Sequence, residues 1–223
     1  MCGIAGIFDA EARSRRKEID AMTSRISHRG PDAYGYLSVC AGGQAVVSHD
    51  GAPSDVGANL HFGHRRLSII DLDGAKQPLS NENGTVWVVF NGEIYNYVEL
   101  SESLIKKGHQ LRSRGDTEVL VHMWEEFAEG MLEHLVGMFA FAIYDSVKGI
   151  LFIARDRFGQ KPLFYSERGK SLFFASEIQA LRASGEFSQI QINELAIAQY
   201  FRYGFIPSPL TAFSGIHSLP AGH

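Results

Sequence analysis

Short apolar runs recur along the chain, and several alternate with a period of two: residues 4–8 (IAGIF), 67–72 (LSIIDL), 85–90 (TVWVVF), 139–145 (FAFAIYD), 150–154 (ILFIA) and 171–176 (SLFFAS). Alternation of this kind belongs to half-buried strands, so the chain reads as strand-rich. Three stretches carry helical spacing instead. The first opens at Asn96, where Asn96 and Glu99 make a capping-box pattern ahead of Leu100, Leu104 and Ile105, and Gly108 supplies a stop. The second starts at Asp116 or Thr117, places Val119, Leu120, Met123, Trp124 and Phe127 on one face, and ends at Gly130. The third opens at Asn193 (NELAIAQYFRYG) and runs into a proline-punctuated tail that reads as a linker into a further region. Strands interleaved with such helices predict α+β layers with mostly antiparallel sheets. Residues 49–59 (HDGAPSDVGAN) predict an exposed loop or hairpin tip, and no internal repeat or low-complexity segment interrupts the pattern.

At 223 residues the chain can bury a core without disulfides or metals, as one sizeable domain or one domain and the beginning of a second. A hydrophobic share of 45%, a charged share of 21% and a formal net charge of -4 argue against a nucleic-acid surface, a basic membrane helix or a disordered tail. The only cysteines, Cys2 and Cys40, lie far apart with no CxxC pair, which argues against a disulfide framework or a zinc ribbon and fits a reducing cytoplasm. The N-terminus has its charges on the wrong side of too short an apolar run for a signal peptide, and no apolar stretch reaches membrane-spanning length. The start of the chain is therefore expected to be a working part.

Cysteine at position two is the first chemical clue. Removal of Met1 would leave a thiol (pKa ~8.5) and an α-amine (pKa ~8) on one residue, a nucleophile beside its own base. By itself the residue reads first as a small apolar side chain at the edge of the first strand. Asn91-Gly92 in isolation suggests a tight hairpin turn, Asp116 a helix N-cap, and Arg66 a surface arginine beside a core strand. His61 and His64, three apart on an extended segment, fall on opposite faces and are not expected to bind a metal together.

Eight motifs appear in order: MCGIAGIF at the start, HRGPD at 28–32, HRRLSIIDL at 64–72, QP at 77–78, NGEIYNY at 91–97, GDTEV at 115–119, GMFAFAIYD at 137–145 and ARDRFGQKPLFY at 154–165. The series resembles the glutaminase domain of glutamine-hydrolysing asparagine synthetases, over nearly the whole chain. The resemblance implies an N-terminal-nucleophile hydrolase fold, a four-layer α/β/β/α sandwich of two mainly antiparallel sheets. It implies a type 2 glutamine amidotransferase domain over residues 1–188, with 189–223 the linker and start of a synthetase domain. The implied activity is hydrolysis of L-glutamine to glutamate and ammonia by Cys2. The family assigns the oxyanion hole to the Asn91 side-chain amide and the Gly92 N–H. Arg66 would grip the substrate α-carboxylate, Asp116 the α-ammonium and Glu93 the side-chain amide or amino group, with Leu67 and Ile70 lining the pocket.

His28, Arg29 and Asp32 are expected to form a polar framework, and Arg155, Asp156, Arg157 and Lys161 structural ion pairs near a following domain. Ala33 and Gln160 depart from the commonest family wording. The glutaminase domain needs no cofactor or metal. ATP and Mg belong to the synthetase domain, whose SGGxDS loop this chain lacks, and which would receive the ammonia on an ATP-activated carboxylate, aspartate by default. The partners implied are glutamine and that C-terminal domain, with no nucleic acid or membrane, and a homodimer is allowed. Two competing readings are an amidotransferase attached to a sugar-phosphate or phosphoribosyl domain, disfavoured by NGEIYNY and RDRFGQKP, and a silent binding domain, disfavoured by the intact Cys2, Arg66, Asn91, Gly92 and Asp116.

Overall fold

The computed structural model describes residues 1–40, 43–55, 57–68, 76–187 and 189–223. In chain order its strands and helices are β1 (Gly3–Asp9), α1 (Arg16–Arg25), β2 (Ala33–Cys40), β3 (Ala45–Ser48), β4 (Ala58–Arg66), β5 (Leu79–Ser80), β6 (Val86–Ile94), α2 (Tyr97–Lys106), α3 (Thr117–Phe127), β7 (Gly137–Asp145), β8 (Ile150–Arg155), β9 (Phe164–Arg168), β10 (Ser171–Ala175), α4 (Ile178–Ala183), α5 (Glu194–Tyr203) and β11 (His217–Ser218). Short 3₁₀ turns follow α1 at Ser27–Arg29 and α3 at Ala128–Glu133.

The strands form two sheets, ordered β11-β9-β10-β1-β4-β2-β3 and β5-β6-β7-β8. Every pairing between the named strands is antiparallel. Side-chain parity shows how the layers stack, because alternate residues of a strand face opposite sides. On β6, Trp87 and Val89 join Ala140, Ala142 and Tyr144 of β7 in a cluster with Ile4, Leu37, Phe62 and Phe174 of the larger sheet. Their neighbours Val88, Phe90, Phe139, Phe141 and Ile143 point the other way, onto Leu104 of α2 and Val119, Leu120, Met123 and Trp124 of α3. On the larger sheet Ala5, Ile7, Phe173 and Ala175 face Ile19 and Met22 of α1 and Ala180 and Leu181 of α4. Two sheets face to face with helices outside each give the expected α/β/β/α order. No helix among the described residues is long and apolar enough to cross a membrane.

Several local expectations need correction. Asn96 occupies the N-cap position of α2, yet its side chain makes no cap hydrogen bond. It spans instead to the loop before β7, donating to the His134 carbonyl at 2.9 Å and accepting from the Val136 N–H at 3.0 Å. The second helix ends at Phe127, three residues early, and tightens into the 3₁₀ turn that contains Gly130. The segment 49–59 is no exposed tip: Ala52, Asp55 and Ala58 are buried, and the Asp55 carboxylate accepts from the Ser14 hydroxyl at 2.9 Å and the Arg15 N–H at 2.6 Å. Of the strand read at 67–72, Leu67 and Ser68 lie beyond the end of β4, and 69–72 fall outside the described residues. The third helix is as read, with the Asn193 side chain accepting from the Ala196 N–H and Gly204 closing it at a left-handed φ of 78°. Residues 189–223, read as the lead into a second domain, place Phe213 and Ile216 against the α1/α4 core and pair β11 with β9.

Candidate active site

Cys2 stands immediately before β1, which occupies the middle of the larger sheet between β10 and β4. The next residue anchors this start, since a Cβ at Gly3 would meet the Ile26 side chain at 2.9 Å. Arg29 holds the Cys2 carbonyl, donating from Nε at 2.9 Å, while its Nη1 pairs with Glu177 at 3.0 Å. The end of β4 delivers the sulfur's neighbours: the Leu67 N–H donates to Sγ at 3.4 Å and the thiol reaches the Leu67 carbonyl at 3.6 Å. Burial pushes the thiol pKa up, opposed by the Leu67 N–H, the terminal ammonium and Arg66, and reinforced by Asp116. With Met1 attached, the sulfur is therefore held as a thiol.

Across from it lies β6, contributed by the other sheet. Asn91 is 1% exposed, and its Nδ2 is enclosed with no hydrogen-bond partner. An amide N–H left bare in a buried position costs about 1–3 kcal/mol unless something arrives to accept from it. Its position is fixed from both sides. His64 of β4 reaches the Phe90 carbonyl at 3.2 Å, the Phe90 N–H donates to Gln77 Oε1 at 2.7 Å, and Gln77 Nε2 donates to Thr117 at 3.3 Å. Asn91-Gly92 pairs with Phe139 and Ala140 inside β6, so the hairpin-turn alternative is excluded. Gly92 has no room for a side chain, because a Cβ there would run into the Met138 carbonyl oxygen and the Phe139 Cα.

Asp116 sits at the N-cap position of α3 without capping it; its Oδ2 accepts the Ile94 N–H at 3.0 Å. Burial raises its pKa, the Ile94 and Asp116 N–H groups oppose this, and Glu93 adds to it. One cleft is lined by Cys2, Arg66, Leu67, Asn91, Gly92, Glu93 and Asp116. Seven candidate residues from strands in two sheets and the start of a helix thus converge; Ile70 lies outside the described residues. Arg66 and Asp116 put a basic and an acidic side chain on the cleft wall.

A profile described as "Glutamine amidotransferase domain" matches residues 1–223. The chain belongs to that family. It is 38% identical over 226 residues to asparagine synthetase [glutamine-hydrolyzing] 1 of Bacillus subtilis, an alignment covering 100% of this chain and 33% of that protein. With asparagine synthetase [glutamine-hydrolyzing] 2 of the same organism it shares 41% identity over 186 residues, 81% of this chain and 22% of that one. This amidotransferase domain thus spans about a third or less of the length of these two relatives. Among solved structures, the glutamine phosphoribosylpyrophosphate amidotransferase of B. subtilis superposes with a TM-score of 0.67 at 24% identity, covering 82% of this chain and 44% of that one. That likeness is one of fold, the N-terminal-nucleophile hydrolase sandwich.

The amidotransferase cleft also holds residues the sequence reading left aside. Gln77, Thr117, Met138 and Lys161 line it, as does Met1, whose Sδ lies 3.2 Å from Lys161 Nζ. Among the described residues the motif RDRFGQK makes none of the expected ion pairs. Asp156 instead gathers the N–H groups of Phe139, Phe158, Gln160 and Lys161 at 3.0–3.1 Å, which holds its carboxyl below the usual range despite burial. Arg155 donates to the carbonyls of Gly159, Lys161 and Leu219, and Arg157 to those of Leu132 and Leu135. The motif is a hydrogen-bonded loop that carries Lys161 to the cleft, and the sequence signal for it was the lysine beside a glycine turn. His28 is exposed and bonds Glu177 at 3.0 Å, while Asp32 accepts the Ser68 N–H at 2.7 Å, so both serve the framework as expected. His61 and His64 face opposite sides of β4, the first toward Ser38 and the second toward Phe90.

Proposed function

We propose that this domain hydrolyses L-glutamine to L-glutamate and ammonia, with Cys2 as nucleophile after Met1 is removed. The observation that carries the reading is the enclosed Asn91 Nδ2, a donor with no partner, lining the same cleft as the thiol. Freed of Met1, the Cys2 α-amine takes the thiol proton, and the sulfur attacks the side-chain carbonyl carbon of glutamine. The oxygen that turns negative accepts from Asn91 Nδ2 and the Gly92 N–H. Collapse breaks the C–N bond, the ammonium proton returns to the leaving nitrogen, and ammonia departs. Water then cleaves the thioester to give glutamate and restore the thiol. Arg66 grips the α-carboxylate, Asp116 the α-ammonium and Glu93 the side-chain amide or amino group, with Leu67 and Ile70 as pocket wall. None of these steps needs a metal or cofactor.

In the longer parent the ammonia passes to an ATP-activated carboxylate, aspartate giving asparagine, on a C-terminal synthetase domain that uses ATP and Mg. The names and lengths of the asparagine synthetases it matches support this assignment. Residues 1–188 are the amidotransferase unit and 189–223 lead toward the second. The setting is the cytoplasm, with no nucleic-acid or membrane partner. A diazoketone analogue of glutamine tests the chemistry, read by intact and peptide mass spectrometry. One label per chain is expected, on Cys2, in molecules lacking Met1. Label on Cys40, or label surviving Cys2→Ala, would sink the mechanism.

A further inference from the structure

Outside the active site, the loop after α2 and the body of α3 bring two imidazoles together. The Nδ1 atoms of His109 and His122 lie 3.1 Å apart, with the rings tilted 62° to each other. Glu125 Oε2 is 3.0 Å from His122 Nδ1 and 3.6 Å from His109 Nδ1. Glu82 Oε2, on the turn between β5 and β6, is 3.6 Å from His122 Nδ1. Ligand atoms of Glu82, His109 and His122 thus lie within 4.8 Å of one another, with the Glu125 oxygen close to both imidazoles. A tetrahedral ion with bonds of about 2.0–2.2 Å sets neighbouring ligand atoms roughly 3.3 Å apart, within the spread seen here.

The two imidazoles differ in what stands behind them: His109 Nε2 lies 3.1 Å from Glu126 Oε1, whereas His122 Nε2 is enclosed without a hydrogen-bond partner. The carboxylate behind His109 favours hydrogen on Nε2 and leaves its Nδ1 as a bare lone pair facing the cluster, the usual outer arrangement of a metal-bound histidine. His122 is fully buried, and Glu82 Oε2 is enclosed without a hydrogen-bond donor. The supporting groups are themselves held, Glu118 by the N–H groups of Arg112 and Ser113, and the second oxygen of Glu125 by Asn81 Nδ2 at 2.7 Å.

We propose that His109, His122, Glu82 and Glu125 form a structural site for a divalent transition-metal ion of the zinc class, stapling the β5–β6 turn and the α2–α3 connection to α3. Two imidazoles with two carboxylates suit zinc over calcium or magnesium, which prefer all-oxygen shells. The competing arrangement is an imidazolium at His122 shared among Glu118, Glu125 and Glu82, which needs no ion.

Zinc titrated calorimetrically into the metal-stripped chain of residues 1–223 distinguishes the two. One ion per chain is expected, with cobalt(II) in its place giving the visible absorption of a tetrahedral site and Tm rising with zinc concentration. His109→Gln and Glu82→Gln alter side chains only 13% and 30% exposed but at the rim of the site, and each is checked for an intact fold by circular dichroism. Each should weaken zinc at least about tenfold while leaving glutamine hydrolysis unchanged. Absence of saturable binding at one equivalent, binding unaltered in both variants, or binding lost in Cys2→Ala would each overturn the proposal.

Discussion

Asn91 spends stability to keep a donor bare in the fold's interior, which makes sense only if the acceptor is transient. On the proposed mechanism bound glutamine offers a neutral carbonyl and the tetrahedral state an oxyanion, so the donor would act mainly on the transition state. Asn91→Ala should lower kcat by about 10²–10³ with KM little changed. Steady-state kinetics, with glutamine affinity measured separately by calorimetry, check this. A collapse of affinity would make Asn91 a binding residue, and unchanged turnover would place the oxyanion hole elsewhere. Some catalysis should persist in the variant, because the Gly92 N–H is backbone and no substitution deletes it.

Between elements, the tie that matters is His64, which links β4 to the carbonyl of Phe90, the residue before Asn91. Complete burial lowers its pKa from 6.5 to about 3, with Arg66 pushing the same way and the Phe90 hydrogen bond opposing. Between those values the unfolded chain binds a proton that the folded chain refuses. Stability is thus full above pH 6.5, falls as pH drops through the window, and levels off near 3. At about 1.4 kcal/mol per pH unit, urea unfolding at pH 7 and pH 5 should show a loss about 2 kcal/mol larger than in His64→Gln, which keeps a donor but does not titrate. Equal losses would mean that His64 titrates normally.

Elements with strong periodicity were legible from sequence: β1, β6, β7, β8 and β10 alternate cleanly, and α5 carries its own cap. The helix α1 escaped notice because RKEIDAMTSR is mostly polar and buries only Ile19, Met22 and Thr23. The strand β2 is broken by Gly35, and β4 by Gly63 and the polar His61, His64, Arg65 and Arg66. At the active site the motif order located seven lining residues. Gln77 and Lys161 stand in motifs visible in the sequence, but their place on the cleft wall, like the His109–His122 pair, comes from tertiary packing alone.

For the molecule as a whole, the segment after residue 188 does structural duty. Phe213 and Ile216 pack on the α1/α4 core, β11 covers the outer edge of β9, and Arg155 donates to the Leu219 carbonyl. A chain ending at residue 188 should therefore uncover apolar core and an unpaired strand edge. Its urea midpoint should fall by an amount corresponding to about 2–5 kcal/mol, the cost typical of removing one large buried side chain. An unchanged midpoint would show that the segment merely rests on the surface.

The contact between the Met1 sulfur and Lys161 inside the cleft has a consequence for anyone handling the protein. On the proposed mechanism the amine of Cys2 is the base, so whatever residue stands ahead of it must be trimmed away before the domain switches on. Any amino-terminal affinity tag or fusion partner would lock it in the off state. A handle for purification belongs at the other end.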